Sequence, residues 1–404
     1  MLRKYYENMK AGLELQYEKK PRAATRLLIE IASAVIAAYE ENIPVIWTSW
    51  YSFPMELLAA FDVASFDFEI ASNSLPLLEP DTAVDVMSSA EEEGYSPDIC
   101  SFHRLSVGCQ MLGHMPHADL LLATSYFCDG TARINKVIAS YHGKEAITLD
   151  VPNRIDNDSI TYVVKQLKTI TGKIETIAGK KLDIDKLREC IRLSNRARLA
   201  YSRAAELQKL KPATWNGITA VVLSQAQDLL NGKLAQEQIY QAILDECLNK
   251  VVAGSKHLEE NHRVMWLAWF PQQPTVVNEI FRKNGVNVVM GERTYAFWEE
   301  KDERNPWEAM ALWCLQYPYT GHIEQRLAGI EKIIDEYQID GVIHFSTDAC
   351  RHTCAGQRII GDRLQKKGLP FLVLDGDMSD KRKYSEERTR FLLESFIELM
   401  AARK

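Results

Sequence analysis

Two stretches decide the fold: ADLLLATSYFC (118–128) and DGVIHFSTDAC (340–350). Each is a short apolar run that ends, a few residues later, in a cysteine. ADLLLAT and DGVIHFS read as buried strands. Helical patterns follow at GTARINKVIASYHG (130–143) and at about 355–367, so each cysteine falls at the mouth of a helix. In open parallel sheets, ligands bind at that end of the strands.

The same alternation extends outward from both stretches. Before the first lie a helix at 23–41, a strand in PVIWTSW (44–50), a short helix at 54–62, a strand in ASFDFEI (64–70) and a helix at 81–94. AITLDVP (146–152) follows as another strand. Around the second, VMWLAWF (264–270), VNVVMG (286–291) and PFLVLDG (370–376) read as strands, with helices at 274–284, 306–316, 323–337 and 384–402. Strands alternating with helices imply an α/β fold with doubly wound parallel sheets. Between them, 158–252 is helical in pattern throughout. The expected organisation is an N-terminal α/β domain (1–157), a helical region (158–255) and a C-terminal α/β domain (256–404).

The chain has 404 residues, with 48 basic and 55 acidic side chains and a net charge of -7. No basic stripe stands out, which argues against nucleic acid as the main partner. No apolar run approaches the length of a membrane helix, and the first twenty residues lack the apolar core of a signal peptide. The expected location is the cytoplasm. The eight cysteines, at 100, 109, 128, 190, 247, 314, 350 and 354, are therefore core thiols, reactive thiols or metal ligands rather than disulfides. Cys190 and Cys247 fall on apolar helix faces and read as core.

Zinc sites usually show C-x2-C pairs or two histidines on one helix face, and neither occurs. A C-x-x-C redox pair, a GxxxxGK[ST] loop and a GxGxxG after the early strands are also missing. A catalytic Cys–His pair stays open, since His344 and His352 flank Cys350. His103, His114, His117 and His322 read as surface or core residues. Thiolates are the normal ligands of iron–sulfur clusters, and Cys100, Cys128 and Cys350 lie at loop or strand-end positions from which two domains could share one. Spacing alone makes this suggestive.

EEEGYSPDICSFHR (92–104), LLATSYFCDG (121–130) and DGVIHFSTDACRHTCAGQRIIGDRLQKKGLPFLVLDGDMSD (340–380) resemble the signature regions of the 2-hydroxyacyl-CoA dehydratase and benzoyl-CoA reductase family. IPVIWTSWYSFPMELLAAFDVASFDFEIA (43–71) resembles it too. The resemblance implies two flavodoxin-like domains with helical additions. It implies a low-potential iron–sulfur cluster on Cys100, Cys128 and Cys350, fed one electron at a time by a separate ATP-hydrolysing activator. In the dehydratases of the family, an electron on the thioester carbonyl gives a ketyl radical, and an unactivated hydroxyl leaves. Glu69 falls where those enzymes keep an active-site carboxylate. Their serine after the first strand has no clean match among Ser49, Trp50, Tyr51 and Ser52. Cys109, Cys314 and Cys354 each accompany one cluster region. This resembles the double-cubane branch of the family: homodimeric reductases of small molecules with an 8Fe-9S cluster on six cysteines of one subunit. That set requires the helix after Cys100 to break near Gly108. The alternatives are a single 4Fe-4S subunit of a 2-hydroxyacyl-CoA dehydratase, paired with a related subunit, and a non-catalytic electron carrier. Arg351 and His352 are candidates for tuning the potential.

Overall fold

A computed structural model of the chain describes residues 1–49, 53–126, 128–215, 226, 229–254, 259–272, 275–295, 299–317, 320–347 and 349–403. Among the described residues eight strands form two parallel sheets. Strands β1 (Val45–Thr48), β2 (Ala64–Asp67), β3 (Leu120–Thr124) and β4 (Ala146–Leu149) lie in the order β2-β1-β3-β4. Strands β5 (His262–Ala268), β6 (Val286–Gly291), β7 (Gly341–Thr347) and β8 (Phe371–Gly376) repeat it as β6-β5-β7-β8. β1, β3, β5 and β7 read as near-continuous apolar runs because helices cover both sheet faces. Their side chains are buried throughout, with Trp47 and Trp266 filling the central strands of the two sheets. These two sheets are the α/β architecture that the alternating pattern implies.

The segment ASFDFEI departs from its expected strand. β2 stops at Asp67, and Phe68–Asn73 is a helix. Asp67 ends the strand because its carboxylate accepts the Ile70 N–H at 2.9 Å and so caps the helix. Glu69 therefore sits in the first turn of a buried helix, not at a strand end. The helix Ser101–Met111 also differs from expectation, since it runs unbroken through Gly108. A Cβ at Gly108 would lie 2.1 Å from the Val86 carbonyl oxygen. This glycine lets the helix pack against Pro80–Glu92; it does not break it.

Helices Asn157–Ala178, Ile184–Glu206 and Leu234–Ala253 separate the sheets in the chain. Asp156 and Asp183 cap the first two. They form no isolated layer. Leu234–Ala253 packs on Ala23–Ala37 of the first half, and Asn157–Ala178 on Pro306–Leu315 of the second. Cys190 and Cys247 are buried in these helices.

Polar contacts lock the halves together. Arg104, fully buried, donates to Asp380 Oδ2 at 3.1 Å from both terminal nitrogens, and also to Glu91. Arg382 bridges Asp380 and Glu91. Ser379 Oγ donates to Asn73 Oδ1 at 2.9 Å, and Lys301 pairs with Glu56 in the interior. Among the described residues no helix is long and apolar enough to cross a membrane.

Candidate metal centre

Cys100, Cys128 and Cys350 come from three parts of the chain but share one local design. Each is the residue immediately before a helix: Ser101–Met111, Asp129–His142 and Arg351–Cys354 respectively. Cys128 follows β3 and Cys350 follows β7, the corresponding strands of the two sheets. Helix starts carry free N–H groups and partial positive charge, which suits sulfur that must bear negative charge. The Phe102 N–H bonds the Cys100 sulfur, and the Thr353 N–H bonds that of Cys350.

The three thiols lie within one another's electrostatic reach. Burial pushes Cys100 well above its usual range, and the charges of Cys350, Cys128 and Asp377 add to this. Burial likewise raises Cys350, opposed by Thr353. Cys128 behaves differently. Burial would raise it, but the hydrogen bond and charge of His103 hold it below its usual value. His103 in turn is raised to about 10: burial opposes this, and the hydrogen bonds to Cys128 and Glu69 overcome it. Thiols that disfavour one another's ionisation are stabilised together by a cation among them, which inverts the local preference.

The third residue after each cysteine is polar and faces a sulfur. The stretches are CSFH (100–103), CDGT (128–131) and CRHT (350–353). His103 and Thr131 bond Cys128, and Thr353 bonds Cys350. Glu69, buried, ties the first two together. Its Oε1 accepts from Thr131 Oγ1 at 2.9 Å and lies 3.2 Å from His103 Nε2. Gly130 makes the room: a Cβ there would lie 2.6 Å from His103 Cε1 and 3.5 Å from Cys128 Sγ. His103 reads from the sequence as a surface or core residue, yet it belongs to the site. The repeated C-x-x-[His/Thr] spacing is the signal that could have found it. Arg351 and Asp129, each next to a cysteine, form an exposed ion pair that links the two helix starts. His352 is half-buried; burial, then the charge of Arg326, lowers it to about 4.

The remaining sulfurs lie elsewhere. Cys109 is fully buried and pushed up to about 12 by burial; it faces Tyr39, half a helical turn round from Cys100. Cys314 is fully buried beside Lys301 and Glu56, and also pushed up to about 12 by burial. Cys354 lies in the field of Cys350, and its sulfur bonds the Thr347 carbonyl at 3.3 Å. The structure thus gathers Cys100, Cys128 and Cys350 with Cys354 at their edge, and does not bring Cys109 or Cys314 to them. Ser49 is buried at the end of β1, while Trp50, Tyr51 and Ser52 lie outside the described residues.

Three thiolates from helix starts are donors that an iron–sulfur cluster would take. Among the described residues no three His, Cys, Asp or Glu side chains converge on one ion position. Buried hydroxyls of Ser101, beside Cys100, and of Thr124 and Thr347, at the ends of β3 and β7, have no hydrogen-bond partner among the described residues. Buried polar groups are normally satisfied, and cluster sulfides would accept from such donors.

A cavity of about 350 Å³ lies nearby at the carboxyl end of β6. Tyr295, Tyr317, Ile330 and Ile333 line it with the buried Glu292–Arg326 pair. Tyr317 packs on Tyr126 with ring centroids 5.4 Å apart, two residues before Cys128.

A sequence profile described as 2-hydroxyglutaryl-CoA dehydratase, D-component, matches residues 50–400. The chain is 25% identical over 299 residues to (R)-2-hydroxyglutaryl-CoA dehydratase subunit alpha of Acidaminococcus fermentans, covering 71% of this chain but only 61% of that one. It is 24% identical to the (R)-2-hydroxyisocaproyl-CoA dehydratase alpha subunit of Clostridioides difficile, over 94% of this chain and 95% of the relative. A benzoyl-CoA reductase polypeptide of Thauera aromatica is 23% identical, over 78% of this chain and 79% of the relative.

Proposed function

The chain belongs to the 2-hydroxyglutaryl-CoA dehydratase D-component family, and from that premise we propose that it is the iron–sulfur subunit of a reductase or dehydratase acting on a coenzyme A thioester. Cys100, Cys128 and Cys350 hold a single 4Fe-4S cubane, which leaves one iron without a thiolate. The observation that carries this reading is the convergence of those three helix-start thiols, with Cys109 and Cys314 buried apart. When bound, the cluster supplies one-electron transfer at low potential. The electrons come from a separate ATP-hydrolysing activator, and a second, related subunit completes the enzyme.

The chain's own residues bind, shield and orient. The three cysteines are only partly exposed, which limits access of water, and a lower local dielectric lowers the potential. Arg104, bonded to the Ile99 carbonyl at 3.0 Å, holds the segment before Cys100 against Asp380. The cavity beside Tyr317 accepts the organic part of the substrate. Its apolar walls suit a hydrocarbon body, and its Arg326 is already paired with Glu292.

A second reading is the homodimeric small-molecule reductase with an 8Fe-9S double cubane. Its support is Cys354, which stands in the field of Cys350. Iron and acid-labile sulfide per chain, on protein purified without oxygen, separate the two. The expected result is about four irons, lost when Cys100, Cys128 or Cys350 is changed to serine and retained in Cys109→Ser and Cys314→Ser. About eight irons, falling in those last two variants, would replace the first reading by the second. Iron that survives all of Cys100→Ser, Cys128→Ser and Cys350→Ser would overturn both.

A further inference from the structure

We infer that Glu69 is a positioning residue for the cluster rather than a base for the substrate: it orients His103 so that the ring hydrogen-bonds the Cys128 sulfur. This rests on the cluster reading above. Four observations carry it. Glu69 is 4% exposed, so substrate has little access to its carboxylate. Its Oε1 is already engaged by Thr131 Oγ1 at 2.9 Å and His103 Nε2 at 3.2 Å. His103 Nδ1 and the Cys128 sulfur lie 3.2 and 3.5 Å from the place a Cβ of residue 130 would take, the two side chains bond each other, and a metal-bound thiolate carries no proton, so the ring is the donor. Gly130 alone leaves space for this, since any Cβ would press on His103 Cε1 at 2.6 Å.

The three cluster sulfurs are then unequal. Cys128 receives a side-chain donor from the helix that begins at Cys100. Cys100 and Cys350 receive backbone N–H groups, and Cys350 also its own Thr353. A hydrogen bond to a ligand sulfur withdraws electron density and raises the reduction potential. His103 therefore sets the potential upward at one corner of the cluster. It also couples the helices after Cys100 and Cys128 through a contact that does not involve the metal.

The test is the midpoint potential of the anaerobically purified holoprotein, followed by electron paramagnetic resonance, with iron content measured on each sample. His103→Phe removes the donor, Gly130→Ala displaces the ring, and Glu69→Gln weakens its anchor. The expected result is a lower midpoint in His103→Phe and Gly130→Ala at unchanged iron per chain, with a smaller shift of the same sign in Glu69→Gln. His103→Gln, which keeps an N–H on a side chain of similar reach, should return part of the shift. Midpoints equal to wild type in fully loaded His103→Phe and Gly130→Ala would overturn the inference. So would loss of iron from all three variants, because the trio would then build the site rather than tune it. A wild-type chain without iron would instead overturn the cluster reading itself, and the inference with it.

Discussion

Asp67 is a buried carboxylate that serves as a helix cap. Burial, and then the negative charge of Glu69, raise it well above the usual carboxylate range. The folded chain therefore keeps this proton at pH values where the unfolded chain has released it. The stability it contributes is complete below about pH 4, the ordinary aspartate value, and is lost as pH rises through the raised one. Asp67→Asn keeps an oxygen for the Ile70 N–H and removes the titration. Chemical denaturation across pH should show a flatter profile for that variant, which is at least as stable as wild type at pH 7. Asp67→Ala lacks the cap and should fall about 1 kcal/mol below Asp67→Asn. Cys109 and Cys314 offer a second comparison. Each sulfur is fully buried, so serine brings a hydroxyl into a site closed to water. The expected cost is about 1–3 kcal/mol each by denaturation, with iron content unchanged. At this scale the three thiols that the structure gathers stood out in the sequence, but not their partners. Glu69, His103, Thr131 and Gly130 span more than sixty positions, and only packing reveals that they touch.

The helix Ser101–Met111 shows how one small residue governs an element. Gly108 lets it lie against Pro80–Glu92, with the Val86 carbonyl where a Cβ would otherwise stand. Gly108→Ala forces the two helices apart. It should destabilise the protein by about 1–3 kcal/mol or more, read by chemical denaturation, and loosen iron retention because Cys100 begins this helix. Glycine in a helical pattern has two meanings, a break or a close approach, and the sequence alone did not choose between them. The strands were easier to read. VNVVMG and PFLVLDG are apolar runs bounded by turn residues, and β6 and β8 fall on them within one residue. ASFDFEI misled because alternating Phe and Asp imitate a half-buried strand, while Asp67 followed by three residues without a breaker is also a helix start.

Across the whole molecule, one buried network holds the two halves in register. Arg104 has no exposed surface and shares Asp380 with Arg382. Asp380→Ala leaves the Arg104 guanidinium with Glu91 and the Ile99 carbonyl alone. A buried charge stripped of a partner costs about 3–5 kcal/mol, and the remaining partners put this case near the lower end. Lys381→Ala, which breaks an exposed pair with Asp81, should stay within about 1 kcal/mol. Denaturation of both variants would measure the contrast. The halves also repeat one another. Equal strand orders place Cys128 and Cys350 at matching positions. The helix that precedes β3 starts after Cys100, whereas the helix that precedes β7 starts after His322, which is exposed. A twofold repeat that kept sulfur at both of these places would offer four thiolates, one for every corner of a cubane. With His322 at the second of these places, the proposed cluster would have three thiolates, two from the first half of the chain and one from the second, so the two halves would not contribute equally to it.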